Sequence, residues 1–229
     1  MFEFVKDFHQ ACNEILSKGK TVVLCGGTGM YIEAVLQGYA LREAPENPAL
    51  RAVLEKESME SLQERLAMIR PLHNTTDLLS RDRLVRAIEI AMSEGGSTYP
   101  PVKSLILGLQ MDRVAHRERI TQRLEARLAQ GMVEEVETLL QKGIPPETLD
   151  YYGLEYRYIS RYLSGHYTFV EMKNLLNTAI HQFAKRQATW FRRMERKGFS
   201  IQWLDAAKNE ETLFSRAMQI LDHHKELWK

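Results

Sequence analysis

The sequence predicts an α/β protein in which helix far outweighs strand. Two short apolar runs, TVVLC at 21–25 and KSLILGLQM at 103–111, read as strands of a parallel sheet buried on both faces. The first passes directly into GGTG and then a helical pattern, the strand–turn–helix grammar of α/β folds. Most of the remaining chain carries apolar residues at helical spacing.

Each element follows from its local text. Phe4, Phe8, Ile15 and Leu16 predict an amphipathic helix over 2–18, stopped by Gly19. After the 21–25 strand, MYIEAVLQG (30–38) predicts a helix closed by Gly38. Pro45 and Pro48 mark a linker at 39–48. From 48 to 94 the text is helical and highly charged, interrupted at Pro71–Asp77, and GGSTYPP (95–101) is a strong break. The 103–111 strand precedes two helices within 111–143, separated near Gly131 and ended by Gly143 and Pro145. Further helices are expected at 151–163 and, longest, at 168–197. IQWLD (201–205) predicts a third strand and 209–228 a last helix. Two or three strands make a thin sheet for an α/β domain.

Composition narrows the functional classes. Of 229 residues, 44% are hydrophobic and 27% charged, an ordinary globular balance. Thirty-one Lys+Arg against thirty Asp+Glu give a net charge of +1, so only local clusters speak about anionic partners. Two cysteines, Cys12 and Cys25, form no disulfide framework and fit a reducing cytoplasm. Cys25 is expected at the buried end of the first strand. No apolar run approaches the roughly 20 residues of a membrane helix. No CxxC pair, HExxH or GxSxG occurs, so no protein-bound metal centre and no serine-hydrolase elbow is expected.

Three segments carry candidate chemistry. In the turn Gly26-Gly27-Thr28-Gly29, glycines admit close backbone approach, and the following helix N-terminus favours an anion. The same text also suits a tight strand-to-helix turn with Thr28 as N-cap. It matches neither G-x-x-x-x-G-K-[ST] nor G-x-G-x-x-G. HNTTDLLSRDRLVRAIEI (73–90) carries Arg83 and Arg86 one turn apart, with Leu84, Ala87, Ile88 and Ala91 as its apolar stripe and Asn74 or Asp77 as cap. These arginines suit a phosphate or a solvated face alike. From Lys185 to Lys197 stand six cations against one anion, Glu195. Lys185, Arg192 and Arg196 form a stripe opposite Ile180, Phe183, Trp190 and Met194, while Arg186 and Arg193 flank the apolar side, half-buried beside Gln182 and Gln187. Such concentration permits nucleic-acid contact.

LCGGTGMYIEAVLQG, NPALR, RDRLVRAIEI, GMVEEVETLLQKG, YYGLEYRYISRYLSG and AIHQFAKRQATWFRR, in that order, resemble the tRNA dimethylallyltransferase family from about Phe8 to Phe199. GGTG-x-Y-x-x-A and AKRQ-x-TWFR are the most specific pieces. The resemblance implies a P-loop-kinase-like parallel sheet, here incomplete and helix-dominated, with an all-helical insertion. It places core at 1–44 and 96–229 and a tRNA-binding insertion at 45–95. The implied activity is transfer of a dimethylallyl group from its diphosphate to the exocyclic amine of the adenosine 3′ of the anticodon.

The resemblance puts Thr28 at the transfer centre and Gly26, Gly27, Gly29, His181, Lys185 and Arg186 at the diphosphate. Arg51 and the segment Asp82, Arg83, Leu84, Val85 and Arg86 are implied to meet the tRNA anticodon stem-loop. Asp82 stands where the family has Gln, and His181 where it has Arg. Mg²⁺ is implied for the complete enzyme, and a cytoplasmic monomer is expected. Neither the family's GPTxSGK[ST] loop nor its Asp-Ser motif occurs. The chain thus resembles the family without its N-terminal β-α-β portion, and this polypeptide alone is expected to be nearly inactive. A prenyltransferase of free adenine nucleotides and a non-catalytic RNA-binding fragment are the rival readings.

Overall fold

A computed structural model describes residues 1–39, 41–71, 77–93 and 99–227. Most of the interruptions expected at 71–77 and 95–101, and the proposed cap Asn74, lie outside those residues. The elements run α1 (Phe2–Ser17), α2 (Gly29–Gln37), α3 (Pro48–Leu54), α4 (Met59–Ile69), α5 (Arg81–Met92), β1 (Ile106–Gln110), α6 (Arg113–Ala129), α7 (Met132–Gln141), α8 (Pro146–Tyr152), α9 (Leu154–Leu163), α10 (Phe169–Arg196), β2 (Ile201–Asp205) and α11 (Glu210–His223). The chain divides into two compact units, residues 1–26 with 30–103, and residues 27–29 with 104–229. The boundaries expected at 44/45 and 95/96 both fall inside the first unit.

In the first unit, α1 and α2 bury Val5, Ala34 and Val35, with Phe4, Phe8 and Tyr99 packed around them. Phe4 stacks on Tyr31 at 4.6 Å and His9 on Tyr99 at 4.4 Å. The helical insertion has its own core of Leu54, Leu62, Leu66, Leu84, Val85, Ala87 and Ile88. Asn47 caps α3 by accepting from the Leu50 amide, and Pro48 follows at the first helical position, where its missing N–H costs nothing. Helix α5 starts at Arg81, after Ser80.

The strand expected at 21–25 does not form. Residues 21–28 have no regular structure, Val23 is 82% exposed, and Cys25 is exposed rather than buried. An apolar run becomes a strand only where a neighbour takes up its backbone hydrogen bonds. Among the described residues the sheet has two strands, and this run is in neither.

The second unit contains that parallel pair, with Ile106 opposite Ile201 and Gln110 opposite Asp205. Its core joins Leu124, Met132, Val136, Leu149, Ile159, Met172 and Leu176. Gly131 takes φ +93° between α6 and α7, the left-handed conformation that the break there requires. The helix expected at 151–163 is two helices meeting at Gly153, the first beginning at Pro146. Helix α10 has 28 residues, about 42 Å at the α-helical rise. It opens with a capping box: Thr168 accepts from the Glu171 amide, and the Glu171 carboxylate accepts from the Thr168 amide at 2.8 Å. Among the described residues no helix is long and apolar enough to cross a membrane.

Candidate functional site

The GGTG turn is fastened to α10. Gln187 Nε2 donates to the Gly27 carbonyl at 2.9 Å. A Cβ on Gly29 would stand 2.8 Å from Trp190 Cγ and 3.2 Å from its Cβ, so glycine is what lets the turn lie this close to the indole. Thr28, between these two attachments, is exposed. Gly26 is exposed as well. At 100° per residue Gln187 and Trp190 lie on the side of α10 away from Lys185, Arg192 and Arg196, so the turn packs against that side, with Arg186 and Arg193 between it and the cationic stripe.

The cations of α10 are presented outward. Lys185, Arg186, Arg192, Arg193 and Arg196 are all exposed, while Met194 is fully buried. Arg186 and Arg193 are not half-buried as expected. Their guanidiniums lie over the rings of Phe183 (5.7 Å) and Trp190 (5.0 Å), which orients them without removing them from water. Thr189, Arg192, Glu195 and Arg196 border an open depression of about 530 Å³, which places two guanidiniums one turn apart.

His181 departs from its expected role. It is partly buried, its Nε2 lies 3.2 Å from the Thr121 hydroxyl on α6, and its Nδ1 is buried without a hydrogen-bond partner. Burial, with smaller contributions from Arg117 and His116, lowers its pKa below 6.5. The ring thus faces α6 through its Nε2.

In the helical insertion, the residues expected to touch RNA fall into three kinds. Leu84 (0% exposed) and Val85 (8%) belong to the core, on the inward stripe of an amphipathic helix. Asp82 and Arg83 are exposed. Arg51 and Arg86 are half-exposed and both bind Glu89. Arg51 donates through Nε to Oε1 at 2.8 Å and through Nη2 to Oε2 at 2.9 Å. Arg86 donates through Nη1 to Oε2 at 3.0 Å and through Nη2 to the Ala44 carbonyl at 2.6 Å. The Asn47 amide also donates to Glu89 at 2.9 Å. The Glu89 side chain is 1% exposed. The Arg51 hydrogen bonds, opposed by burial and aided by Asn47 and Arg86, hold its pKa at about 2.

Glu89 and Trp190 were not singled out as functional from the sequence, and Gln187 only as a neighbour of the α10 arginines. Glu89 had a signal, a carboxylate one turn beyond Val85 on an otherwise apolar stripe. Gln187 and Trp190 had none beyond the family pattern, because their partners lie some 160 residues away in sequence. Among the described residues, no three His, Cys, Asp or Glu side chains converge to hold a cation.

The chain is a helix-dominated α/β protein with a glycine turn tied to a cationic helix and an arginine-bearing helical insertion. The family model described as IPP transferase matches residues 1–194. The chain belongs to the IPP transferase family. It is 53% identical over 211 residues to tRNA dimethylallyltransferase 2 of Porphyromonas gingivalis, covering 90% of this chain and 70% of that protein. It is 53% identical over 229 residues to tRNA dimethylallyltransferase 1 of Geotalea daltonii, covering 98% and 74%. The fold is similar to that of a full-length tRNA isopentenylpyrophosphate transferase from Bacillus halodurans, with TM-score 0.64 at 24% identity over 98% of this chain and 72% of that one.

Proposed function

We propose that this chain serves the transfer of a dimethylallyl group from dimethylallyl diphosphate to the exocyclic amine of the adenosine 3′ of the anticodon in tRNA. The observation that supports this reading, beside family membership, is the bond from Gln187 to the Gly27 carbonyl, which ties the turn bearing Thr28 to α10, the helix that carries the cations. An allylic carbon leaves its diphosphate with carbocation character, so charge stabilisation on the leaving group is the dominant need. The turn from Gly26 to Gly29, with Lys185 and Arg186, supplies it. The exocyclic amine is a poor nucleophile, because its lone pair is delocalised into the ring. The adenosine is therefore flipped out of the loop and presented in a dry channel, at a cost of a few kcal/mol. Thr28 lies where its hydroxyl meets the reacting centre, and a base accepts the amine proton. No residue of this chain is assigned to that last role. Arg83, with Arg51 and Arg86, grips the RNA backbone.

The protein, offered labelled dimethylallyl diphosphate together with an anticodon stem-loop and AMP, is expected to label the stem-loop adenosine and leave AMP unlabelled. Label on AMP alone would overturn the RNA acceptor. Label on neither would overturn the transfer itself.

A further inference from the structure

We infer that Glu89 is a positioning residue that presets Arg51 and Arg86 as a two-pronged phosphate clamp, and that Glu46 is the clamp's own removable occupant. The inference rests on the reading of the helical insertion as an RNA-binding element. Glu89 is a buried carboxylate on α5 that no step of the proposed transfer uses. It takes the inward edge of the Arg51 fork in a two-point grip and one nitrogen of Arg86, whose other terminal nitrogen is fixed on the Ala44 carbonyl. The arginine side chains remain 33% and 40% exposed, against 1% for Glu89. Two long cationic side chains that would otherwise sample many rotamers are thus held from behind, with their outward sides in water. Planar guanidiniums fixed in this way meet a phosphate with little further ordering cost.

The outward side of Arg51 carries one more anion. Glu46 Oε1 lies 3.2 Å from Arg51 Nη2, on a side chain that is 71% exposed. An exposed pair of this kind is weak and easily exchanged. The two carboxylates on Arg51 therefore differ in kind. Glu89 is built into the core and shapes the fork, whereas Glu46 sits where an incoming phosphate oxygen would sit.

This difference makes the test one of sign. Glu89→Gln and Glu46→Gln each remove one negative charge. Net charge alone makes both bind a polyanion more tightly. Positioning makes them diverge. The 229-residue chain and its variants are titrated with a fluorescent anticodon stem-loop, by anisotropy, at low and at physiological ionic strength. The expected result is a Kd about tenfold weaker for Glu89→Gln, with a shallower salt dependence, and an equal or up to about fivefold tighter Kd for Glu46→Gln at low salt. Arg51→Lys, which keeps the charge and loses the fork, is expected to weaken binding like Glu89→Gln, and serves alone should Glu89→Gln not fold. Tighter binding by folded Glu89→Gln, or unchanged binding by Arg51→Lys, overturns the inference while leaving RNA recognition standing. Failure of the unaltered chain to bind the stem-loop overturns the RNA reading and the inference with it.

Discussion

Acid should loosen the helical insertion through one carboxylate. Glu89 is held at about 2 against an ordinary 4.5, with Arg51 as the main cause. In the unfolded chain it takes up a proton near its ordinary value, whereas in the folded chain it does not until far lower pH. Its contribution is therefore fully present above about pH 4.5 and is lost as pH falls toward 2. A shift of roughly 2.5 pKa units corresponds to about 3 kcal/mol, comparable to the cost of about 3–5 kcal/mol for breaking a buried ion pair by removing one partner. The assay is urea unfolding of the unaltered chain and of Glu89→Gln across this pH range. Trp190 and Trp203 belong to the second unit and do not report on the insertion. Amide hydrogen exchange over Leu84–Ile88 does. The two proteins should differ by about 3 kcal/mol at neutral pH and converge as the medium approaches the folded-state value. A difference that stays constant down to about pH 3 would refute the assignment of the stability to an ionised Glu89.

Three further outcomes follow from the same geometry. Thr28→Ala should lower the transfer rate by at least about tenfold while leaving tRNA affinity nearly unchanged, measured by single turnover beside stem-loop binding; equal rates would remove Thr28 from the reacting centre. Arg83→Ala, at an exposed residue, should weaken stem-loop binding and flatten its salt dependence by about one phosphate; an unchanged slope would place Arg83 off the RNA. Imidazole NMR should show His181 titrating below 6.5. Because the unfolded chain then protonates first, His181 destabilises the fold as pH falls through that value. A midpoint at or above 6.5 would mean that the ring is not held neutral against Thr121.

Local patterns exposed most of the helices. The glycine stops, the Asn47-Pro48 start of α3 and the break at Gly131 are short-range chemistry, and the structure has them where the residues put them. The run 21–25 misled because strand formation depends on a partner that no local text specifies. Gly153 misled because a glycine that divides two helices reads much like one inside a longer helix. The candidate site was legible as a list of cations and glycines, but its organisation was not. Gln187 reaching Gly27, Glu89 gripping Arg51 and His181 facing Thr121 all join positions far apart in sequence, 160, 38 and 60 residues respectively. Each of these pairings decides whether a charged or polar side chain is available to a ligand.

The central claim is that the turn at 26–29 and helix α10 act together on one diphosphate. Calorimetric titration of the 229-residue chain with inorganic diphosphate tests it most directly. Binding should be measurable, and both Thr28→Ala and the double variant Lys185→Ala, Arg186→Ala should weaken it, the double variant by at least about tenfold, because charge-assisted contacts dominate anion capture. Undetectable binding, or the same Kd in all three proteins, would contradict the claim.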